Sequence, residues 1–392
     1  MPGISPASHY ANHICIDFGS EYLKCFIYNS EQKRFSEFIK FRNRIYKLNK
    51  KQKKLDHDRI KDLNSNFLTK REVDSYDLKD NVDEIAIKPH WLRRNVSVLA
   101  KFYQNIFEIV EDHYKVNLFD EKDNWLIHVA LPLTEQSETF SLIAKNHLKA
   151  SNRLGFNNFI EENQLYLSSC GEFAAVEKND MPVKNIRLIV DIGSHDTKVV
   201  AFASKPIQST ARRETIGGQN VQKHAIKLSK KLNPTLKPFD VTKWLYEHAH
   251  VYEKTGKILV KDTDGQDIDI APIMGTPKLL FDPKSYGLER KSLIDLISET
   301  TVAASKLTGN RLAPMFLSCI LLTGGGAKYH GMELKLTEEL AKHFRQNKNR
   351  IKVYKTSNPE FSCLRGFKLQ FLECSKQQQV EGSAEKKGIE SS

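Results

Sequence analysis

Three stretches of this chain share one layout: an apolar run that ends at a polar residue and breaks into a glycine turn. Ile14-Cys15-Ile16 runs into Asp17 and the Gly19-Ser20 bend, with Lys24 beyond it. Leu188-Ile189-Val190 runs into Asp191 and the Gly193-Ser194 bend, with Thr197 beyond it. Ile320-Leu321-Leu322 runs through Thr323 into Gly324-Gly325-Gly326. Apolar and β-branched residues ahead of a glycine turn predict a strand entering a hairpin. The first two stretches are therefore expected to be β-hairpins, the second with strands at 188–192 and 198–203. The third is a strand at 319–323 whose turn leads to a helix from Gly331 to Phe344.

Between these stretches the period changes. Trp91 to Tyr114 has apolar residues at 91, 92, 96, 99, 102, 103, 106, 107 and 110, which is helical spacing. Trp125 to Leu131 predicts a strand, stopped by Pro132, and Glu135 to Leu148 a helix. A short strand is expected near Leu165 to Leu167, then a small-residue stretch leading to the second hairpin. Past Gly217-Gly218 a basic helix runs through Leu232. The segment KILVKDTDGQDIDIAPI predicts a hairpin turned at Asp264-Gly265. A helix follows at Lys291 to Leu307, then, beyond the third turn, a strand at Ile351 to Tyr354 and a last helix at Arg365 to Cys374. A β-hairpin followed by alternating helices and strands, repeated more loosely, is an α/β pattern with an internal duplication.

Length and charge add boundaries. With 392 residues the chain can bury two domains. No apolar run is long enough to span a membrane, and the N-terminus lacks a signal-peptide layout, so an intracellular protein with no membrane partner is expected. The six cysteines form no CxxC pair and several sit in apolar runs, which reads as buried thiols in a reducing compartment. Residues 1–13 and 376–392 have the composition of disordered ends. The stretch 42–70, dense in Lys, Arg, Asn and Asp, is expected to be an exposed insertion or mobile loop. The net charge of +12 admits nucleic acid as a partner through a basic surface, but that stretch interleaves a single aromatic, Tyr46, and several acids.

Each of the first two turns gathers the chemistry of a phosphate site. A carboxylate at the strand end can hold the water shell of Mg²⁺. The turn offers backbone N–H groups and a hydroxyl, and the first turn also has the Lys24 ammonium. One Asp-x-Gly-Ser is more often an ordinary β-turn. Two of them with a triple-glycine turn point to a duplicated protein that clamps a nucleotide between two halves.

These residues resemble the actin family, within the superfamily that includes heat-shock ATPases and sugar kinases. The first phosphate loop matches in Asp17, Gly19, Ser20 and Lys24, and the second in Asp191, Gly193 and Thr197. The adenosine turn matches in Gly324, Gly325, Tyr329 and Gly331. Ala130 to Thr134, Ile216-Gly217-Gly218, Phe281-Asp282-Pro283 with Gly287, and Ser362 with Gly366 are similar to actins and actin-related proteins. The resemblance implies a two-lobed actin-like ATPase fold, duplicated sheet-and-helix lobes around a nucleotide cleft. The first lobe would span 14–186 and be completed by 352–375; the second would span 187–351. ATP or ADP with Mg²⁺ would lie in the cleft. Ser20 and Lys24 would take the terminal phosphates, and Gly193 and Ser194 would line their second side. Asp17 and Asp191 would hold the metal through water, and Gly324, Gly325, Gly326 and Tyr329 would wall the adenosine. The alternative for Tyr329 is a core aromatic.

Actins position the attacking water with a Gln and heat-shock relatives with a Glu. Glu172 is the candidate catalytic residue on that basis, with an ordinary helix-start Glu as the alternative. Departures cluster around the pocket. Glu21 and His195 stand where actins have glycines, Thr242-Lys243 where a Lys-Glu pair is usual, and Glu360 where a Lys packs on adenine. The expected function is an actin-related, ATP-binding structural subunit of a chromatin-remodelling or cytoskeletal motor-adaptor complex, in the nucleus or cytoplasm, with weak or no hydrolysis. Its partners would be other protein subunits, actin or actin-related proteins among them. A self-assembling actin-like filament ATPase is the alternative.

Overall fold

A computed structural model describes residues 10–19, 21–48, 67–75, 82–86, 95–131, 137–176, 185–252, 256–261, 265–308 and 312–373. The chain is a mixed α/β protein with several sheets and divides into two compact units, 1–167 with 367–392, and 168–366. Sequence placed the boundaries near 186 and 351; the contacts draw them near 167 and 366. Among the described residues no helix is long and apolar enough to cross a membrane.

In the first unit β1 (Asn12–Phe18) and β2 (Tyr22–Asn29) form the first hairpin, with β3 (Arg34–Phe35) and β4 (Ile39–Arg42) beside β2. Next come β5 (Arg44–Leu48), β6 (Phe67–Leu68), α1 (Lys70–Ser75) and β7 (Val82–Ala86). Helix α2 (Val96–Tyr114), β8 (Trp125–Leu131), α3 (Ser137–Asn152) and β9 (Phe159–Asn163) follow. The main sheet runs β3-β2-β1-β8-β9, and β6-β5-β7 make a smaller one. Strand β1 is antiparallel to β2 and parallel to β8, which is parallel to β9. Parallel strands covered on both faces read as near-continuous apolar runs, and every residue of β8 is buried, including His128, whose Nε2 lies 3.1 Å from His13 Nδ1. Helix α2 starts where Asn95 Oδ1 accepts from Val98 N–H at 3.0 Å, and it turns Leu99, Phe102, Tyr103, Ile106, Phe107 and Val110 into the core.

The second unit opens within α4 (Gln164–Val176) and takes up β10 (Ile186–Ile192), β11 (Thr197–Ala203), β12 (Lys205–Pro206) and β13 (Arg212–Glu214). Helices α5 (Gly218–Leu232) and α6 (Pro238–His248) precede the small hairpin β14 (Leu259–Lys261) and β15 (Asp267–Asp269). Then come α7 (Ala271–Met274), α8 (Leu293–Thr308), α9 (Ala313–Leu317) and β16 (Ile320–Thr323). Helix α10 (Met332–His343) and β17 (Val353–Tyr354) complete the order, and α11 (362–373) begins in this unit and ends in the first. The main sheet runs β12-β11-β10-β16-β17, again with one antiparallel hairpin followed by two parallel neighbours. The two main sheets therefore have the same topology.

Two expectations are corrected. The stretch 42–70 is not a loop at its flanks: β5 pairs with β6 and β7, and Ile45 is fully buried. Its polar composition hides the inward apolar positions Ile45 and Leu68, both fully buried, while 49–66 lie outside the described residues. The strand expected at 165–167 lies earlier, at 159–163, and 164–176 is helix. Asn163 Oδ1 accepts from Tyr166 N–H at 3.0 Å and caps that helix, which ends the strand. Ser20, residues 132–136, Asp264 and both chain ends also lie outside the described residues.

Gly171 of α4 faces the start of α11. A Cβ there would stand 2.0 Å from the Ser362 carbonyl oxygen and 2.6 Å from the Gly366 nitrogen. Gly171→Ala is expected to cost about 1–3 kcal/mol by overpacking. Urea denaturation checks this, and an unchanged midpoint would refute the close approach.

Candidate functional site

A carboxylate at the end of a buried strand needs a counter-charge. In the first hairpin the pairing register sets Lys24 opposite Asp17, and the ammonium lies 2.6 Å from Asp17 Oδ2. The other oxygen, Oδ1, accepts from the Gln164 side-chain amide at 2.6 Å. Asp17 is 1% exposed, so this pairing is its environment. Gly19 makes the bend: its N–H donates to Asp17 O at 3.0 Å, and a Cβ would stand 2.3 Å from Tyr22 O. Glu21 lies 2.5 Å from an Arg44 guanidinium nitrogen of β5, so its charge is paired. Ser20 lies outside the described residues.

The second hairpin repeats the device. Lys198 stands opposite Asp191 in the register, and its ammonium lies 3.4 Å from Asp191 Oδ2 and 3.3 Å from Asp196 Oδ1. Asp196 is also held by Arg213 at 2.5 Å. Burial opposes the Lys198 charge, but Asp196 and Asp191 outweigh it and raise the pKa above the ordinary lysine value. Burial likewise opposes the Asp196 carboxylate, yet Lys198 and Arg213 hold its pKa below the usual range. Thr197 donates to Ile216 O at 2.7 Å, bringing the glycine pair 217–218 to the turn. The first N–H groups of α5 are satisfied there: Gly218 donates to Gly193 O and Gln219 to Ser194 O, at 3.0 and 2.8 Å.

Gly193 donates its own N–H to Asp196 O at 2.9 Å, so of the two residues expected here, Gly193 and Ser194, the second is the donor this turn can present. Ser194 makes no hydrogen bond through its N–H or hydroxyl among the described residues, and it is half-buried. The third turn packs on the second hairpin. Thr323 Oγ1 lies 3.4 Å from Asp191 Oδ1, and Gly324 has φ of 84°. A Cβ at Gly324 would stand 2.5 Å from both Asp191 Oδ1 and Ile192 O. Gly325 and Gly326 begin the 3-10 turn that leads to Tyr329, which packs against the core with its hydroxyl near Gly218. Burial raises the Tyr329 pKa. Glu360 is bound by Lys328 at 2.8 Å, so a lysine does stand beside it.

Glu172 is fully buried. Its carboxylate accepts from the Thr356 N–H and hydroxyl, the Ser362 hydroxyl and the Arg365 guanidinium, the last at 2.6 Å. A base that activates water must offer it a lone pair, and these four donors make Glu172 a tie between α4 and the 356–365 segment. Two residues escaped the sequence reading. Lys198 was legible, because the seven-residue interval from Asp17 to Lys24 recurs from Asp191 to Lys198. Gln164 carried no local signal, since only the fold brings it to Asp17.

Among the described residues no group of three or more His, Cys, Asp or Glu forms a direct metal-ligand set. In each unit the carboxylate near the strand end is already paired with a lysine, so neither turn by itself offers a metal an unpaired carboxylate ligand. Compared with known proteins, the chain matches no protein-family model, and no curated sequence matches it significantly.

Lys198→Met is expected to cost about 3–5 kcal/mol, because it removes the cation that the buried carboxylates of Asp191 and Asp196 share; chemical denaturation measures it. Asp196→Asn tests the acid side. The native pKa is depressed, so the pairing stabilises above the ordinary Asp value of about 3.9 and is lost as pH falls through the folded value. The stability gap between wild type and Asp196→Asn should therefore be full at pH 7 and close in strong acid. A gap independent of pH would refute the ion pair.

Proposed function

We propose that the chain is an actin-related, ATP-binding structural subunit of a larger assembly, either chromatin-remodelling or cytoskeletal and motor-adaptor. The observation that carries this reading is the cross-strand Asp–Lys pair, present at the same place in two sheets of the same topology. The glycine turn at 324–326 packed against the second pair supports it. On this reading each turn serves phosphate within its own unit: Lys24 would meet phosphate oxygens beside Asp17, and Ser194 beside Asp191, with the resemblance assigning the water shell of Mg²⁺ to such carboxylates. Glu21 does not count against phosphate, because Arg44 pairs it.

The tie at Glu172 supports the structural role over a catalytic one, because its carboxylate already accepts from four donors. The filament ATPase remains the second reading because of Gln164: its amide lies at Asp17, and a Gln is what actins use to position water. Whole-chain protein, extracted with acid and chromatographed, should release adenine nucleotide. Lys24→Ala and Asp191→Asn should each weaken Mg-ATP binding at least ~10-fold, about 1.4 kcal/mol. No bound nucleotide and no thermal stabilisation by Mg-ATP would overturn the proposal. Phosphate release that rises with sedimentable polymer and falls in Gln164→Ala would favour the filament.

A further inference from the structure

The helical pair α5–α6 of the second unit carries a surface that neither the turns nor the core use. From Thr215 to Phe239 the chain has five lysines, Lys223, Lys227, Lys230, Lys231 and Lys237, and no Asp or Glu. All five are exposed, while Val221, Ala225 and Ser229 bury the opposite side of α5. Lysines four apart on a helix repel one another, and 223, 227 and 231 repeat at that interval without an acid to offset them. Burial and then Lys227 and Lys231 push the neighbouring His224 below the usual imidazole pKa.

Large apolar side chains lie beside this ridge. Leu232 is 51% exposed, Phe239 69% and Tyr246 61%. Gln222 of α5 donates to the Thr242 hydroxyl of α6 at 2.7 Å, which fixes the two helices side by side. Phe239 and Tyr246 come three residues before and four after Thr242, so they share its face, about 10 Å apart at the rise of an α-helix.

We propose that this face docks an acidic, amphipathic segment of a partner protein. Its carboxylates meet the lysine ridge and its apolar side chains meet Leu232, Phe239 and Tyr246. Charge selects an acidic partner, and a second copy of this chain, at +12, brings the wrong sign. The apolar anchors select a polypeptide. Nucleic acid stacks on aromatics but has no use for Leu232, and these cations are all Lys, without the Arg fork that suits phosphates and base edges. Helix α5 starts at the second glycine turn, but the lysines begin at 223 and none of the five is among the residues proposed to bind ATP, so the face can be assayed with or without nucleotide.

Short random peptides displayed on phage and selected against the full-length protein test it. Recovered sequences should be net acidic with apolar residues at helical spacing, and their affinity should fall as salt rises. Phe239→Ala, and separately the double variant Lys230→Glu with Lys231→Glu, should each weaken them at least ~10-fold. Both variants change exposed residues, and circular dichroism melting verifies that they stay folded. Peptides without acidic bias, or equal binding to both variants, would overturn the proposal. So would an oligo-dT whose binding is lost in the same variants, or self-association abolished by Phe239→Ala.

Discussion

A carboxylate at the end of an apolar strand is tolerable only with a cation beside it, and that constraint shapes both halves of this chain. Strands β1 and β10 are almost wholly buried, yet each has an Asp one residue before its end. The cation comes from the returning strand, so the turn has to be tight enough to bring the lysine back seven residues later. Slipping the register by one residue would send that lysine to the other face of the sheet and leave the Asp unpaired. The glycine in each turn, the length of the bend and the position of the lysine are thus one requirement, met twice.

The two solutions differ in their remaining contacts. Asp17 completes its hydrogen bonding with a neutral amide, Gln164, and forms a simple pair. Asp191 shares its lysine with Asp196, whose second partner is Arg213, so the second turn holds two acids and two bases. Removing one member of such a network leaves charge on the others less well compensated, so its members are expected to be energetically coupled.

The hairpins were legible because their signal is local: apolar runs, a glycine bend and alternation all lie within a dozen residues. Helix α2 was legible for the same reason, through its apolar period. What escaped depends on distant partners. Strand β5 has a charged composition and is a strand because β6 and β7 pair with it. The boundary between β9 and α4 turns on one capping Asn. Glu172 sits at the right distance from Asp191 to suggest catalysis, but its role is decided by Thr356, Ser362 and Arg365, nearly two hundred residues on.

The departures from the resemblance take on a different meaning once their partners are seen. Glu21 introduces a negative charge into the first turn, and Arg44, from a strand absent from the expected pattern, cancels it. Glu360 replaces an expected lysine, and Lys328 from the third turn restores the cation. A sequence compared position by position counts these as losses, because it sees the acid and not the base that answers it. Counted as pairs, the altered positions leave the local charge balanced in both places, and the balance was struck by residues that no motif contains.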